Sequence, residues 1–182
     1  TAQELTQDPE MLAEVEEALG KIERTVQTEI EASALRVPVF EALKQLLVAG
    51  NVLLFLPPVG NFKLYKLNNY VIKRDPRGNV LRIITKECVS TLTLPAKLKD
   101  GLELSEDEKS GTKDVDVYTM IKRTDTGWDT WQEVKGQKVP ETVATFPLDK
   151  SPWIPLRMIA LSGEDYGRSY VEEYLGALIS LE

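Results

Sequence analysis

Between Tyr70 and Thr85 the chain writes a β-hairpin, and that feature constrains its fold more than any other. Tyr70-Val71-Ile72-Lys73-Arg74 and Val80-Leu81-Arg82-Ile83-Ile84-Thr85 are rich in β-branched residues, and they flank Asp75-Pro76-Arg77-Gly78-Asn79. Aspartate, proline and glycine set the backbone angles that a tight reversal needs, so the two runs pair antiparallel. Val115, Val117, Thr119 and Ile121 alternate with polar neighbours and lead through Asp125-Thr126-Gly127 into Trp128 to Val134, a second expected hairpin. Trp128 and Trp131 stand at odd spacing in that run, so they point to opposite faces of a strand. Before the hairpins, Val52 to Leu56 is a continuous apolar run between Gly50-Asn51 and Pro57-Pro58, and Phe62 to Leu67 alternates. Periodicity alone does not separate a buried strand from a buried helix at Val52 to Leu56, but the abrupt start after Gly50 favours a strand.

Helices bracket this β-rich middle. Asp8-Pro9-Glu10 opens one, with an N-cap aspartate and proline at the first helical position. Leu12, Val15, Leu19, Ile22, Val26 and Ile30 then recur at steps of three and four, an apolar stripe opposite an acidic face and expected to lie on the core. Val37-Pro38 interrupts the pattern, because a residue before proline avoids the helical region. A second helix is expected from Pro38, turning Phe40, Leu43, Leu46 and Leu47 inward and stopping at Gly50-Asn51. Ile154-Pro155 enters a final strand at Leu156 to Leu161, and a glycine-bounded loop, Ser162 to Arg168, precedes a last helix. Ser169-Tyr170-Val171-Glu172 has the spacing of a capping box at its start, and Val171, Tyr174, Leu175, Leu178 and Ile179 share one side. The expected class is α+β: N-terminal helices on mostly antiparallel strands, then a C-terminal helix. The divisions are a helical part over 1–50, a β-rich region over 51–161 with an acidic loop at 99–114, and a loop and helix start over 162–182. The opening at Thr1 and the stop at Glu182 inside a helical pattern carry the expectation of a piece of a longer polypeptide.

The 182 residues contain no histidine and one cysteine, Cys88. Imidazole acid–base chemistry, Ser-His and Cys-His nucleophiles, His-ligated zinc and internal disulfides are therefore excluded together. Cys88, inside the run Ile83 to Val89, is expected to be packed and inert. Asp107-Glu108 and Glu172-Glu173 are the acid pairs available for carboxylate chemistry, but neighbours on a helix do not share a face. Gly163 to Gly167 precedes a helix N-terminus, yet it has no lysine, and Glu164 and Asp165 repel an anion. The expectation is no enzyme, no cofactor and no metal. No stretch is apolar and long enough to span a bilayer, so no membrane partner is expected. The net charge of −7 is uneven. Residues 1–31 carry −7 and residues 100–116 carry −5, which leaves +5 on the remainder.

Several blocks resemble one family in one order. Arg36 to Pro57 (R-V-P-V-F-E-A-L-K-Q-L-L-V-A-G-N-V-L-L-F-L-P) is similar to a helix, a V-A-G-N stop and an apolar strand of the portal proteins of short-tailed phages. Lys63 to Leu67, Arg74-Asp75 with Gly78 to Leu81, and Val115 to Thr119 resemble later strands of that family. Ile154 to Arg157 and Gly163 to Gly176 (G-E-D-Y-G-R-S-Y-V-E-E-Y-L-G) resemble its most specific block. The acidic loop Lys99 to Asp114 and the hairpin at Asp125 to Lys138 depart from the family pattern. The resemblance implies a structural subunit of a ring, a dodecamer at one capsid vertex, assembled in the cytoplasm of a bacterial host. Double-stranded DNA passes its channel during packaging and ejection without sequence specificity. Terminase, tail or adaptor, scaffold and capsid proteins are its implied partners. By the same resemblance, this piece would correspond largely to the wing region and the approach to the stem. A non-catalytic interaction domain of another phage virion protein is the alternative. Tyr166, Arg168, Ser169, Tyr170 and Glu172 are the candidate residues for a subunit interface or for positioning the last helix, with intrachain packing as the competing role. The acidic helix and the net-positive remainder are expected to supply the two complementary sides of a ring contact.

Overall fold

In a computed structural model, residues 9–32, 35–57, 62–94, 102 and 104–181 are described, and they form two compact units, 1–41 and 42–182. The first unit is built on helix α1 (Pro9–Ala32). Proline takes its first position as expected, while Asp8 lies outside the described residues. The Thr25 and Thr28 hydroxyls donate to the carbonyls of Lys21 and Arg24, and Glu17 pairs with Lys21 at 2.7 Å. Leu12 and Val15 are half-buried, but Leu19, Ile22, Val26 and Ile30 are exposed.

Helix α2 (Arg36–Ala49) starts earlier than the expected Pro38. Proline is tolerated there because first-turn N–H groups have no intrahelical acceptor; the helical bonding begins beyond it, with Val39 N–H donating to Leu35 O. The expected inward face is corrected. Phe40, Leu43 and Leu47 are exposed, Leu46 is half-buried, and the buried position is Ala42. Polarity does not set the face here, since Glu41 and Gln45 are half-buried beside the small buried Ala42. Gly50 ends the helix with φ +70°, its N–H donating to Leu46 O at 3.0 Å.

The strands form two antiparallel sheets. In the three-stranded sheet β1 (Asn51–Phe55) lies between β2 (Lys63–Tyr65) and the later β8 (Trp153–Arg157). Its central position is why Val52 and Leu53 are fully buried and why the run lacks alternation. The five-stranded sheet is a meander in chain order: β3 (Tyr70–Arg74), β4 (Val80–Ser90), β5 (Asp114–Arg123), β6 (Gly127–Val134) and β7 (Gln137–Pro147). Both expected hairpins are present, β3–β4 and β5–β6. The strand β7 was not expected. It is an edge strand containing Pro140 and Pro147, and only Val139 is buried, so little apolar alternation marks it. Lys135 and Gly136, at φ 51° and 77°, make the two-residue turn into it.

The inner face of the five-stranded sheet packs on the three-stranded one. Tyr70, Ile72, Ile83, Ile121 and Trp128 meet Leu53, Tyr65 and Trp153 in the main core, with Phe55 stacked on Trp153 at 4.1 Å. A second cluster, Val115, Val117, Val134 and Val139, fills the far end beneath Leu94, Leu102 and Leu104. Trp128 is buried and Trp131 faces the other side, as their spacing requires. Cys88 is exposed, which corrects the packed reading: Ile83 and Thr85 face inward along β4, so the even positions 86 and 88 face outward.

In the acidic connection between β4 and β5, residues 95–101 and 103 lie outside the described residues. Beyond them Ser105 caps the short helix α3 (Glu106–Lys109) in a reciprocal box with Glu108. The buried Glu108 reaches Lys135 at 2.6 Å, tying this connection to the β6–β7 turn. The Lys135 hydrogen bond, then the Ser105 N–H, hold its carboxyl at about 2, against an ordinary value of 4.5. A depressed carboxylate contributes stability that is complete above its unfolded value and is lost as pH falls through the folded one. The unfolding midpoint of the natural chain should therefore fall between pH 4.5 and pH 2 more steeply than that of Glu108→Gln, as followed by circular dichroism. Parallel curves for the two proteins rule this anchor out as a source of acid sensitivity.

Candidate functional site

The segment between β8 and the last helix, α4 (Tyr170–Ile179), is hydrogen-bonded to both sheets through several of its residues. Its start is fixed by Met158 N–H, which donates to Gly50 O at 2.8 Å. Ile159 and Arg168 then exchange backbone hydrogen bonds at 3.0 and 3.2 Å, closing the glycine-bounded loop into a bridge. On one side of that bridge the Asn51 side chain donates to Gly167 O and accepts from Gly167 N–H, both at 2.7 Å, and donates to Ala49 O at 3.1 Å. Asn51 is the first residue of β1, so the loop is joined to the three-stranded sheet.

Asp165 and Tyr166 join it to the five-stranded sheet. The Tyr166 hydroxyl accepts from Ile72 N–H at 3.1 Å, and its ring packs on the main core. The Asp165 carboxylate accepts from Arg74 N–H at 2.7 Å and from Lys73 Nζ at 2.9 Å, contacts that hold its pKa below the ordinary carboxylate value. Arg74 reciprocates, donating Nε–H to Asp165 O and its terminal nitrogens to Gly78 O and Pro155 O. Burial and the nearby Arg157 lower the pKa of its guanidinium from the usual arginine value.

Two glycines permit the close approach. A Cβ on Gly50 would lie 2.5 Å from the Arg168 carbonyl carbon, and one on Gly167 would lie 2.8 Å from Ile159 O. The buried Ser169 then starts α4, its hydroxyl accepting from Glu172 N–H at 2.9 Å. That is the forward half of the expected capping box; the Glu172 carboxylate lies instead 4.0 Å from Arg168 Nε. Arg168 also stands 4.0 Å from Glu173, and Tyr170 stacks on Tyr174 with ring centres 6.0 Å apart.

Of the five residues singled out in the sequence, Tyr166 and Ser169 point into the domain, while Arg168, Tyr170 and Glu172 are exposed. Asn51 and Arg74 were missed as partners of this loop, and Asp165 as the loop residue that holds Arg74, because these contacts span 91 to 116 positions of chain. The only available signal was Gly50-Asn51, a polar side chain at the mouth of an apolar strand. Beyond the loop, α4 leaves Tyr170, Val171, Tyr174, Leu175 and Ile179 exposed. An exposed apolar helix face of this kind marks a surface that another element covers.

The acid pairs do not converge. Glu108 is engaged by Lys135 while Asp107 is exposed, and Glu172 and Glu173 face Arg168. Among the described residues no group of three or more histidine, cysteine or acidic side chains is placed to hold a metal ion. No described helix is long and apolar enough to cross a membrane. Geometry and charge present a braced loop beside a helix whose apolar residues are exposed.

Comparison with known proteins meets that arrangement along its whole length. Residues 2–182 match the family model described as bacteriophage head to tail connecting protein. The portal protein of Escherichia phage T7 is 45% identical over 188 aligned residues, which cover 100% of this chain and 35% of that protein. The portal protein of Enterobacteria phage T3 is 45% identical over the same shares. That of Enterobacteria phage SP6 is 28% identical over 90% of this chain. The chain thus spans about a third of the length of these relatives.

Two substitutions test the braced loop. Asn51→Ala removes three hydrogen bonds, all of them to part-buried backbone groups, and should destabilise the fold by roughly 2–4 kcal/mol in denaturant unfolding. Tyr166→Phe should cost only about 1 kcal/mol, because the ring packing survives. Equal losses, or none, would show that the loop is not held through these atoms.

Proposed function

This chain belongs to the bacteriophage head to tail connecting protein family, and from that membership we propose that it forms the wing region, and the approach to the stem, of a portal subunit. Twelve such subunits close into a ring at one vertex of the virion. The ring is the channel for double-stranded DNA in packaging and ejection, and the platform on which terminase, tail, scaffold and capsid proteins dock. The ring is assembled in the bacterial host cell. The observation that carries this reading is similarity to portal proteins over the entire chain at up to 45% identity, with no large gap in coverage.

Physical features support a role in assembly. A ring is built from heterologous contacts, so each subunit needs two different complementary surfaces. The chain divides its charge sharply, with −7 on residues 1–31 and +5 on what remains after the acidic connection. The exposed face of α4 adds an apolar surface next to the braced loop. Arg168, Tyr170 and Glu172 are positioned there to meet a neighbouring subunit, whereas Tyr166 and Ser169 hold the helix root. An overall negative charge of −7 also disfavours tight phosphate binding, which suits a wall past which a duplex must slide.

The full-length subunit should run in native mass spectrometry as a ring of about a dozen copies, with a central hole in negative-stain images, the closed symmetry a connector requires. A subunit that stays monomeric at every concentration returns the chain to the class of isolated virion interaction domains. Tyr170→Ser combined with Tyr174→Ser should lower the ring fraction while leaving the unfolding midpoint of the monomer close to the natural value. Undiminished assembly removes α4 from the interface.

A further inference from the structure

The outer face of the five-stranded sheet, which the core does not use, is ordered into rows by strand register. Val71, Ile84, Met120 and Trp131 pair in sequence across β3, β4, β5 and β6, making one apolar row. Two positions along each strand, Lys73, Arg82 and Lys122 pair across β3, β4 and β5, making a cationic row beside it. Val71 is 55% exposed, and an open hollow of about 190 Å³ lies over Ile84, Met120 and Trp131 with Arg82 and Lys122 on its rim. The cationic row ends opposite Asp129, whose carboxylate accepts from Thr145 at 3.1 Å.

Like charges directly opposite on neighbouring strands are unfavourable. Lys73 is relieved by Asp165, but among the described residues Arg82 and Lys122 have no ion-pair partner. In a chain of net charge −7, three cations in register beside an apolar row select an acidic, amphipathic occupant. A nucleic acid would satisfy the cations and leave the apolar row uncovered.

Helix α1 has that chemistry and that spacing. It carries seven glutamates against Lys21 and Arg24, and its stripe residues Leu19, Ile22 and Val26 are 48%, 59% and 52% exposed. From Val15 to Val26 the stripe is about 16 Å long at 1.5 Å per residue. Four strands at about 4.8 Å spacing make the apolar row about 14 Å wide. Glu16 and Glu23 flank one side of the stripe two turns apart, about 10 Å, close to the two strand spacings that separate Lys73 from Lys122.

We infer that α1 of a neighbouring copy lies across β3 to β6, its Val15-to-Val26 stripe on the apolar row and its Glu16 and Glu23 facing Lys73, Arg82 and Lys122. The inference rests on the ring reading above and names one of its contacts.

Zero-length carboxyl–amine coupling of rings assembled from mixed light and heavy isotopic copies of the full-length subunit tests it. Links joining Glu16 or Glu23 of one isotope to Lys73 or Lys122 of the other are expected. Links confined to a single isotope, or none, overturn it. Arg82→Glu with Lys122→Glu should raise the concentration needed for assembly by about tenfold or more. Glu16→Lys with Glu23→Lys should do the same, and the four changes together should restore assembly. Loss without restoration, in variants whose circular dichroism matches the natural subunit, overturns the docking while the natural rings uphold the ring reading. Absence of rings from the natural subunit overturns both.

Discussion

The reciprocal pair of 2.7 Å hydrogen bonds between Asn51 and Gly167 is the constraint on which the rest of the second unit depends. Asn51 begins the central strand of the small sheet, and Gly167 sits in the loop that reaches the large one. Without that pair, the loop carrying Asp165 and Tyr166 would keep its bonds to β3 and the Arg157 bond to Glu164 O, but would lose its direct tie to the central strand of the small sheet. The pair also explains the two tight glycines. An asparagine amide at this distance draws the loop backbone onto the end of α2, and only Gly50 leaves room for Arg168 and Ser169 there. Substituting alanine at Gly50 would combine a steric clash with a φ of +70°.

Much of this architecture was legible in the residues. Hairpins announced themselves because Asp75 to Asn79 and Asp125 to Gly127 are short-range chemistry that acts on the chain within a few positions. Inner-face alternation in β5 was equally visible, since period two is read directly from Val115 to Ile121. The face of α2 and the edge strand β7 were not. In α2 the polar Glu41, Lys44 and Gln45 share one side, yet Glu41 and Gln45 are half-buried while Phe40, Leu43 and Leu47 are exposed, so the pattern pointed away from the observed face; an edge strand with prolines has neither alternation nor a continuous apolar run. Of the candidate site, the capping serine and the loop were readable, but the partners that make it rigid were not. Those contacts join residues about a hundred positions apart, and one sequence carries no record of which polar groups meet at that range. Cys88 shows the converse error: a residue type that is usually buried was placed outward by strand parity alone.

Charge is arranged by separation more than by pairing. Among the described residues most ion pairs are exposed, such as Lys21 with Glu17 and Lys86 with Asp116, and contacts of that kind contribute at most about 1 kcal/mol each. Glu108, buried and paired with Lys135, steadies the connection over the second cluster of valines. Unpaired charge is left on surfaces, where it decides what may approach and contributes little to holding the fold.

The tied root of α4 has a consequence for angular tolerance. Tyr166, Gly167 and Arg168 are each bonded to a different part of the domain and Ser169 caps the helix itself, so the helix leaves with little slack at its first turn. Its ten residues make a lever about 15 Å long, and a tilt of about 10° at the root would move the tip by about 2.6 Å. In the ring proposed above, any such error would repeat at every position. A root pinned by backbone groups, whose positions vary less than those of surface side chains, holds the exit direction the same in every copy.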